Sequence, residues 1–387
     1  MAGRELPRRA AVVIVGGGVV GLSAAYHLAS SGVRDVVLLE KDELGAGSTS
    51  KAAGGVRAQF SDEVNIQLGL RSLRAYESFA TDHGQEIDFH RVGYLFLLDR
   101  ADDVATFEAS CAVQNELGLP TRMIDPADAQ RLSPLISTDG LLGAAFCPVE
   151  GHCTPESVVL GYASAARRAG AVLIRGCEVT GVERDGSTIT GVVTNGGTIA
   201  TDTVVCAAGA YSAAIGDMVG VPLPVTPVRR QILTTEPVSG LDPMTPFTID
   251  FSTSLYFHRE GPGLLLGMSD PDEVPGFQLG RSDAWLPRLG EAISHRAPAV
   301  ADVGVSGGWA GLYEMTPDHN ALIGESPEVS RFLYATGFSG HGFLMGPAVG
   351  EVVRDLYLGE PPVVDVSALS VDRFGAGAAV RPELNIV

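Results

Sequence analysis

Apolar positions recur along this chain at two periods, and the switches between them outline its elements. The run Ala11-Val12-Val13-Ile14-Val15 is continuous and short, as in a strand buried on both faces. Three glycines (Gly16, Gly17, Gly18) interrupt it. A helical segment then runs from Leu22 to Ser31, Gly32 stops it, and a second apolar run, Val36 to Leu39, ends on Glu40. Ile66, Leu70, Leu73, Tyr76 and Phe79 fall three or four apart and predict a helix over residues 64–82. Phe89, Val92, Tyr94, Phe96 and Leu98 change the pattern to that of a strand. Helices follow at 102–117 and 125–132, and a strand at 141–147. Thr154-Pro155 sets an N-cap and a first-turn proline for a helix reaching Arg168.

Further on, 172–174 reads as a strand. Residues 179–184 and 189–194 read as a hairpin across Asp185-Gly186, and 203–208 as another buried strand. Pro222, Pro224 and Pro227 mark a crossing into short strands at 230–235, 247–250, 255–258 and 264–268. A helix is predicted at 285–295, and a return at 307–317 leads to a strand at 331–335. The last helix is expected from about 346 to 358, with Pro347 near its start and Gly359 at its stop. After Gly375 the pattern gives no element. Strand–helix alternation at both ends and an antiparallel pattern between them predict an α/β fold with a Rossmann-type cofactor domain made of residues 1–86, 151–225 and 307–387. The second, substrate domain, residues 87–150 and 226–306, is built on a mixed, largely antiparallel sheet.

The first turn carries chemistry. Gly16, Gly18 and Gly21 form G-x-G-x-x-G between a strand and a helix. Gly16 makes the turn, Gly18 leaves room for a pyrophosphate, and Gly21 lets helix and strand approach. The helix N-terminus at Val19 and Val20 offers free N–H groups and partial positive charge. Glu40, about 20 residues on, stands where an acid accepts the ribose hydroxyls, and an acid there argues against a 2′-phosphate. The loop from Gly45 to Gly55, with Gly47, Ser48, Thr49, Ala52, Ala53 and Gly54, is small enough to let a flat ligand reach the backbone.

Composition narrows the partners. With 46 acidic and 27 basic residues the formal charge is −19, which disfavours nucleic acid and anionic membranes. The five cysteines show neither C-x-x-C nor metal spacing, so no metal site is expected, and reduced thiols in a cytoplasmic protein are the simpler reading. The charged start, Met1 to Arg9, lacks the form of a signal peptide, and no apolar run is long enough to span a membrane.

Taken together, Gly45 to Gly55, Ala207-Ala208-Gly209, Thr316-Pro317-Asp318 and Gly337 to Gly342 resemble the D-amino-acid oxidase superfamily of flavoproteins. The chain is most similar to the sarcosine oxidase group, in particular its beta-subunit and amino-acid dehydrogenase branch. The resemblance runs from about Ala11 to Gly359. It implies FAD, a substrate sheet covering the flavin, and oxidation of the C–N bond of an amine or amino acid, a secondary amine or N-methyl amino acid among them. It also places Lys41, Val179, Ala208, Gly209, Gly340, His341, Gly342, Phe343 and Leu344 with the residues already named around the cofactor. His341 and Tyr256 are implied at the active site, and Arg57 and Arg229 are candidates to hold a substrate carboxylate.

Departures from the pattern matter. Where monomeric sarcosine oxidases have a carboxylate-binding lysine this chain has Leu344, the companion arginine falls near Phe60, and their oxygen-activating lysine falls at Leu265. Lys51 and Gly311 stand where other branches attach FAD covalently, so the FAD is expected to be non-covalent. Oxygen or another acceptor takes the electrons, and the family's multi-subunit members allow a partner chain. Two other functions fit the motifs: a flavin monooxygenase using NADPH, and an FAD-binding subunit of a larger dehydrogenase.

Overall fold

The computed structural model describes residues 6–375 and 381–386. The opening residues of the charged start, and part of the stretch after Gly375, therefore lie outside the described residues. Strands Val12–Val15, Val36–Leu39, Val172–Ile174, Val204–Cys206 and Phe332–Thr336 pair in parallel, and Leu322–Glu325 joins Phe332–Thr336 antiparallel at the edge. Both faces are covered, which is why the strands read as unbroken apolar runs. Val12, Ile14, Val36 and Leu38 pack with residues of helices Val19–Ser30, Pro155–Arg168 and Gly342–Leu358. Val13, Val15, Val37 and Leu39 pack with Ile189, Val192 and Ile199 of a three-stranded antiparallel sheet.

The second sheet has eight strands in the order Val305–Met315, Thr226–Thr235, Gly263–Met268, Leu255–Glu260, Phe247–Asp250, Tyr94–Leu98, Gly143–Cys147 and Arg122–Ile124. All neighbours are antiparallel except Phe247–Asp250 with Tyr94–Leu98. Leu95, Leu97, Leu233, Leu264 and Leu266 turn one face onto helix Leu286–Arg296. Tyr94, Phe247, Ile249, Ile232 and Tyr256 turn the other toward a cavity between the two sheets.

Several elements differ from the pattern. The helix predicted over 64–82 breaks at Ser78 into Glu63–Glu77 and Phe79–His83. Only Tyr94–Leu98 of the 87–98 stretch is a strand, although His90 bridges to His152. Thr154 sits at the N-cap position, but its hydroxyl bonds Asp88 instead of the helix. Val305–Met315 is the edge of the eight-stranded sheet, so the chain rejoins the first sheet only at Leu322–Glu325, an edge strand the pattern did not reveal.

The last helix begins at Gly342, directly after His341, and carries Pro347 in its interior. A proline there cannot donate to the carbonyl of Phe343. That carbonyl instead accepts the Tyr76 hydroxyl at 2.6 Å, so the gap in the helix is closed from helix Glu63–Glu77.

Candidate functional site

The cavity runs from the first parallel strands to the aromatic face of the eight-stranded sheet, and two helix N-termini open onto it. Gly16, Gly18, Val19 and Val20 line one end. Gly16 has φ +114°, and a Cβ there would strike the carbonyl of Ala207. Gly21 does not line the cavity; a Cβ on it would meet the Gly16 carbonyl, so it is the packing glycine the motif requires. Gly18 is different: within 4 Å its Cβ would meet only the Thr49 hydroxyl, at 3.1 Å, so the space above it is free for a ligand. That hydroxyl accepts from Val19 N at 3.1 Å and caps the helix across the loop. Glu40 fixes the turn, accepting from Gly17 N at 2.7 Å and Asp42 N at 2.8 Å, while facing the cavity.

Lys41, Gly47, Ser48, Thr49, Ala52, Ala53, Gly54, Gly55, Val179, Ala208 and Gly209 line the same cavity. Lys41 holds its ammonium 3.4 Å over the Tyr211 ring. At the far end stand Gly340, His341, Gly342, Phe343 and Leu344. Among the described residues the N–H groups of Gly342, Phe343 and Leu344 find no partner within the protein, as expected of a first helical turn open to a ligand. A glycine cradle at one helix N-terminus and free donors at a second suit a molecule with a diphosphate in its middle and an electron-rich ring at its end. The residues present therefore fit FAD.

Arg57 organises the far end of the cavity. Its guanidinium is buried, donates to Gln59 O at 2.5 Å and to Asn385 O at 2.8 Å, and lies 4.2 Å over the Phe60 ring. It also sits 3.1 Å from Nε2 of His341. Arginine can only donate, so His341 accepts at Nε2 and carries its proton on Nδ1. Burial, and the Arg57 charge after it, hold His341 well below the usual histidine range, in agreement with a neutral ring. The Arg57 loop is held by Glu150, whose carboxylate accepts from Ala58 N at 2.5 Å, Gln59 N at 3.0 Å and Gln59 Nε2 at 2.7 Å. Burial raises Glu150 to about 7 against those bonds.

Aromatic residues complete this end. Tyr94 and Phe247 stack at 4.3 Å and Phe247 and Tyr256 at 5.7 Å. Burial pushes Tyr94, Tyr256 and Tyr313 up, so each keeps its phenolic proton.

The structure brings His341, Tyr256 and Arg57 to one cavity, and all the expected cofactor residues but Gly21 line it. It does not bring Arg229 there: that side chain pairs with Glu273 at 2.9 Å, and the neighbouring Arg230 enters instead. Leu265 lies off the main cavity, in a separate one beyond the Ser50–Ala53 loop. Lys51 packs against Gly311, where a Cβ would come 2.6 Å from Lys51 Cβ.

Sequence reasoning missed Arg230, Tyr313, Glu150 and Glu314. Glu314 accepts from Thr336 Oγ1 at 2.8 Å and Gly337 N at 3.0 Å and so fixes the turn before His341. Its neighbour motif, Thr316-Pro317-Asp318, is the available signal. Asp318 pairs with Arg373 at 2.7 Å, and Thr316 N donates to Ser339 Oγ.

The sequence model of the family described as FAD dependent oxidoreductase matches residues 11–356. Mitochondrial dimethylglycine dehydrogenase of Rattus norvegicus is 32% identical over 96% of this chain and 45% of its own length. The chain thus spans about half the length of the curated relatives it matches. Among solved structures, L-proline dehydrogenase from P. horikoshii superposes with a TM-score of 0.90 at 33% identity, over 96% of this chain and all of that one. Glycine oxidase from Geobacillus kaustophilus gives 0.84 at 27%, over 95% and 99%.

Proposed function

The chain belongs to the FAD-dependent oxidoreductase family, and from that premise we propose that it oxidises the C–N bond of an amino acid or N-alkyl amino acid whose carboxylate is held by Arg57. The observation that carries this reading is the state of Arg57. It is a buried guanidinium on the cavity wall whose partners, among the described residues, are two carbonyls and a histidine and no carboxylate. Glu383 and Glu150 act on its charge only from a distance, and a substrate carboxylate would pair with it directly. The names of the similar proteins support it: dimethylglycine, L-proline and glycine all carry an amine beside a carboxylate.

In this reading the six-stranded sheet and its helices form the cofactor domain, and the eight-stranded sheet is the substrate domain. Gly16, Gly18, Glu40 and the Gly45–Gly55 loop would hold the diphosphate and ribose of non-covalent FAD, and the Gly340–Leu344 N–H groups its ring. Bound FAD supplies the two-electron acceptor for the substrate hydride. The protein's own part is to orient and to dry. Arg57 fixes the carboxylate, and the Tyr94–Phe247–Tyr256 wall excludes water and aligns the carbon beside nitrogen. The cationic, apolar surroundings favour the neutral amine, the form that can lose hydride. His341, neutral, locks the Arg57 fork and offers no charge of its own.

We take the acceptor of the electrons to be a redox partner in preference to oxygen. The names of two similar proteins, dimethylglycine dehydrogenase and L-proline dehydrogenase, support this. The buried cysteines and the acidic surface support a cytoplasmic setting. Among the described residues no helix is long and apolar enough to cross a membrane. The test is anaerobic bleaching of the flavin band with N-methyl amino acids, proline and glycine beside their decarboxylated amines and NADPH. Bleaching by the carboxylate-bearing compounds is expected; bleaching only by decarboxylated amines or by NADPH overturns the reading.

A further inference from the structure

Residues 381–386 approach the substrate end of the cavity from outside both sheets. Their backbone crosses between the loop after Arg57 and the Thr316–Asn320 loop. Asn320 Nδ2 donates to Arg381 O at 2.8 Å, and Glu383 N donates to Asp318 O at 3.1 Å. The Glu383 carboxylate is buried and accepts five bonds. They come from Ser61 N and Ser61 Oγ at 2.8 Å each, Asp62 N at 3.2 Å, Asn65 Nδ2 at 2.9 Å and Asn385 N at 2.9 Å. Two residues on, the Asn385 carbonyl accepts from Nη2 of Arg57, the same nitrogen that faces His341.

Two features bear on how the segment is held. Asn385 is fully buried, yet among the described residues neither Oδ1 nor Nδ2 has a partner. Burying both atoms unpaired opposes docking, so the segment is held by Glu383 and by its backbone bonds, not by the Asn385 side chain. Second, nearly all the groups Glu383 binds lie on the stretch that follows Arg57, so the anchor and the arginine it serves share one rigid piece of backbone.

We propose that the segment Arg381–Ile386 is a clasp: Glu383 anchors it, and its Asn385 carbonyl sets the Arg57 guanidinium in the direction that receives the substrate carboxylate. Glu383 is therefore a positioning residue acting through Arg57. The inference rests on the reading of Arg57 as the carboxylate site. With the clasp released, the guanidinium is held only by the neutral His341 at Nη2 and by the Gln59 carbonyl at Nη1, so its direction is less firmly set, while the glycine cradle that holds the diphosphate is untouched.

The experiment uses FAD-loaded wild type, Glu383→Gln, Glu383→Ala and Ser61→Ala. Gln keeps the shape but turns an NH2 group toward groups that donate; Ser61→Ala removes one donor to the anchor and one acceptor of Leu384 N while leaving the charge. Each protein is titrated with acetate and with pyrrole-2-carboxylate, following the flavin difference spectrum, and KM is measured for a carboxylate-bearing substrate and its decarboxylated amine.

A Kd for carboxylate raised at least tenfold in both Glu383 variants is expected. A smaller rise is expected in Ser61→Ala, with FAD content unchanged and KM for the decarboxylated amine within twofold. Wild-type affinity in Glu383→Gln with FAD bound overturns the clasp alone. A Glu383 variant that does not fold leaves the decision to Ser61→Ala, where unchanged Kd overturns the clasp. Absence of any carboxylate binding in the wild type overturns the reading of Arg57, and the clasp with it.

Discussion

The two ends of the cavity are built by different means. At the diphosphate end the chain offers backbone: glycines without side chains, a helix N-terminus, and one acid, Glu40, all within thirty residues of one another in sequence. At the substrate end it offers side chains drawn from across the whole chain: Arg57, Tyr94, Glu150, Arg230, Tyr256, Tyr313, His341 and the carbonyl of Asn385. A backbone cradle recognises what every member of a cofactor class shares, and it tolerates no added atoms. A side-chain wall recognises one ligand and can be altered residue by residue. The two ends should therefore fail differently when changed.

The sharpest break is expected at Gly18. A leucine there would fill the space that only the Thr49 hydroxyl borders. FAD affinity should fall at least 100-fold, about 2.7 kcal/mol, with the fold intact by circular dichroism. Flavin content of the purified variant is the measurement, and full retention contradicts the cradle.

At the other end His341→Ala should leave FAD bound and lower turnover about tenfold, or about 1.4 kcal/mol of transition-state stabilisation. Because His341 is already neutral, the variant should keep the wild-type acid limb of its pH–rate profile. Loss of that limb with the histidine would show that the ring does titrate.

The same contrast explains what the sequence revealed. The diphosphate end was legible because its chemistry needs glycine at fixed spacing between a strand and a helix, a local requirement. The parallel sheet was legible for a related reason: burial on both faces turns strands into apolar runs. The substrate end was only partly so. His341 and Arg57 lie in recognisable turns, but Glu150 acts from 93 positions after Arg57, beside the two-residue strands Gly55–Val56 and Gly151–His152, too short to show in the pattern.

The clasp was invisible to hydrophobic patterning because its polarity is inverted. Glu383 and Asn385 point inward while Leu384 is 51% exposed, so alternation there marks the wrong face. Pro347 misled in a smaller way. It suggests a helix start, whereas the Tyr76 hydroxyl lets it sit inside.

Glu150 gives a test that involves no ligand. Burial raises it to about 7 from an ordinary 4.5. Between those values the native protein holds a proton that the unfolded chain has released. The corresponding stability is full below about pH 4.5 and is lost as pH rises through 7. Thermal midpoints from pH 5 to 8 should fall with pH from this contribution, and Glu150→Gln should flatten that slope. An identical slope in the variant would place the titration elsewhere.

The smallest effect separates two neighbours. Arg229 and Arg230 are adjacent on strand Thr226–Thr235, so their side chains leave opposite faces of the sheet. Register decides which faces the cavity. Arg230 lies opposite Gly311, and Gly311, Tyr313 and Ile232 all line the cavity, so parity sends Arg230 inward, where it lies 5.2 Å over the Tyr313 ring. Its Nε is buried without a partner among the described residues, whereas Arg229 is already satisfied by Glu273 and the Gly280 carbonyl. Substituting Arg230 by alanine should raise KM for a carboxylate-bearing substrate about fivefold, roughly 1 kcal/mol of binding. Arg229→Ala should leave KM within twofold, because its side chain does not line the cavity and is already paired with Glu273. Were Arg229 the more sensitive of the two, the side-chain wall would have to be rebuilt from the opposite parity. Tyr313 and Ile232 would then leave the site with Arg230, a consequence that Tyr313→Phe would expose in the same assay.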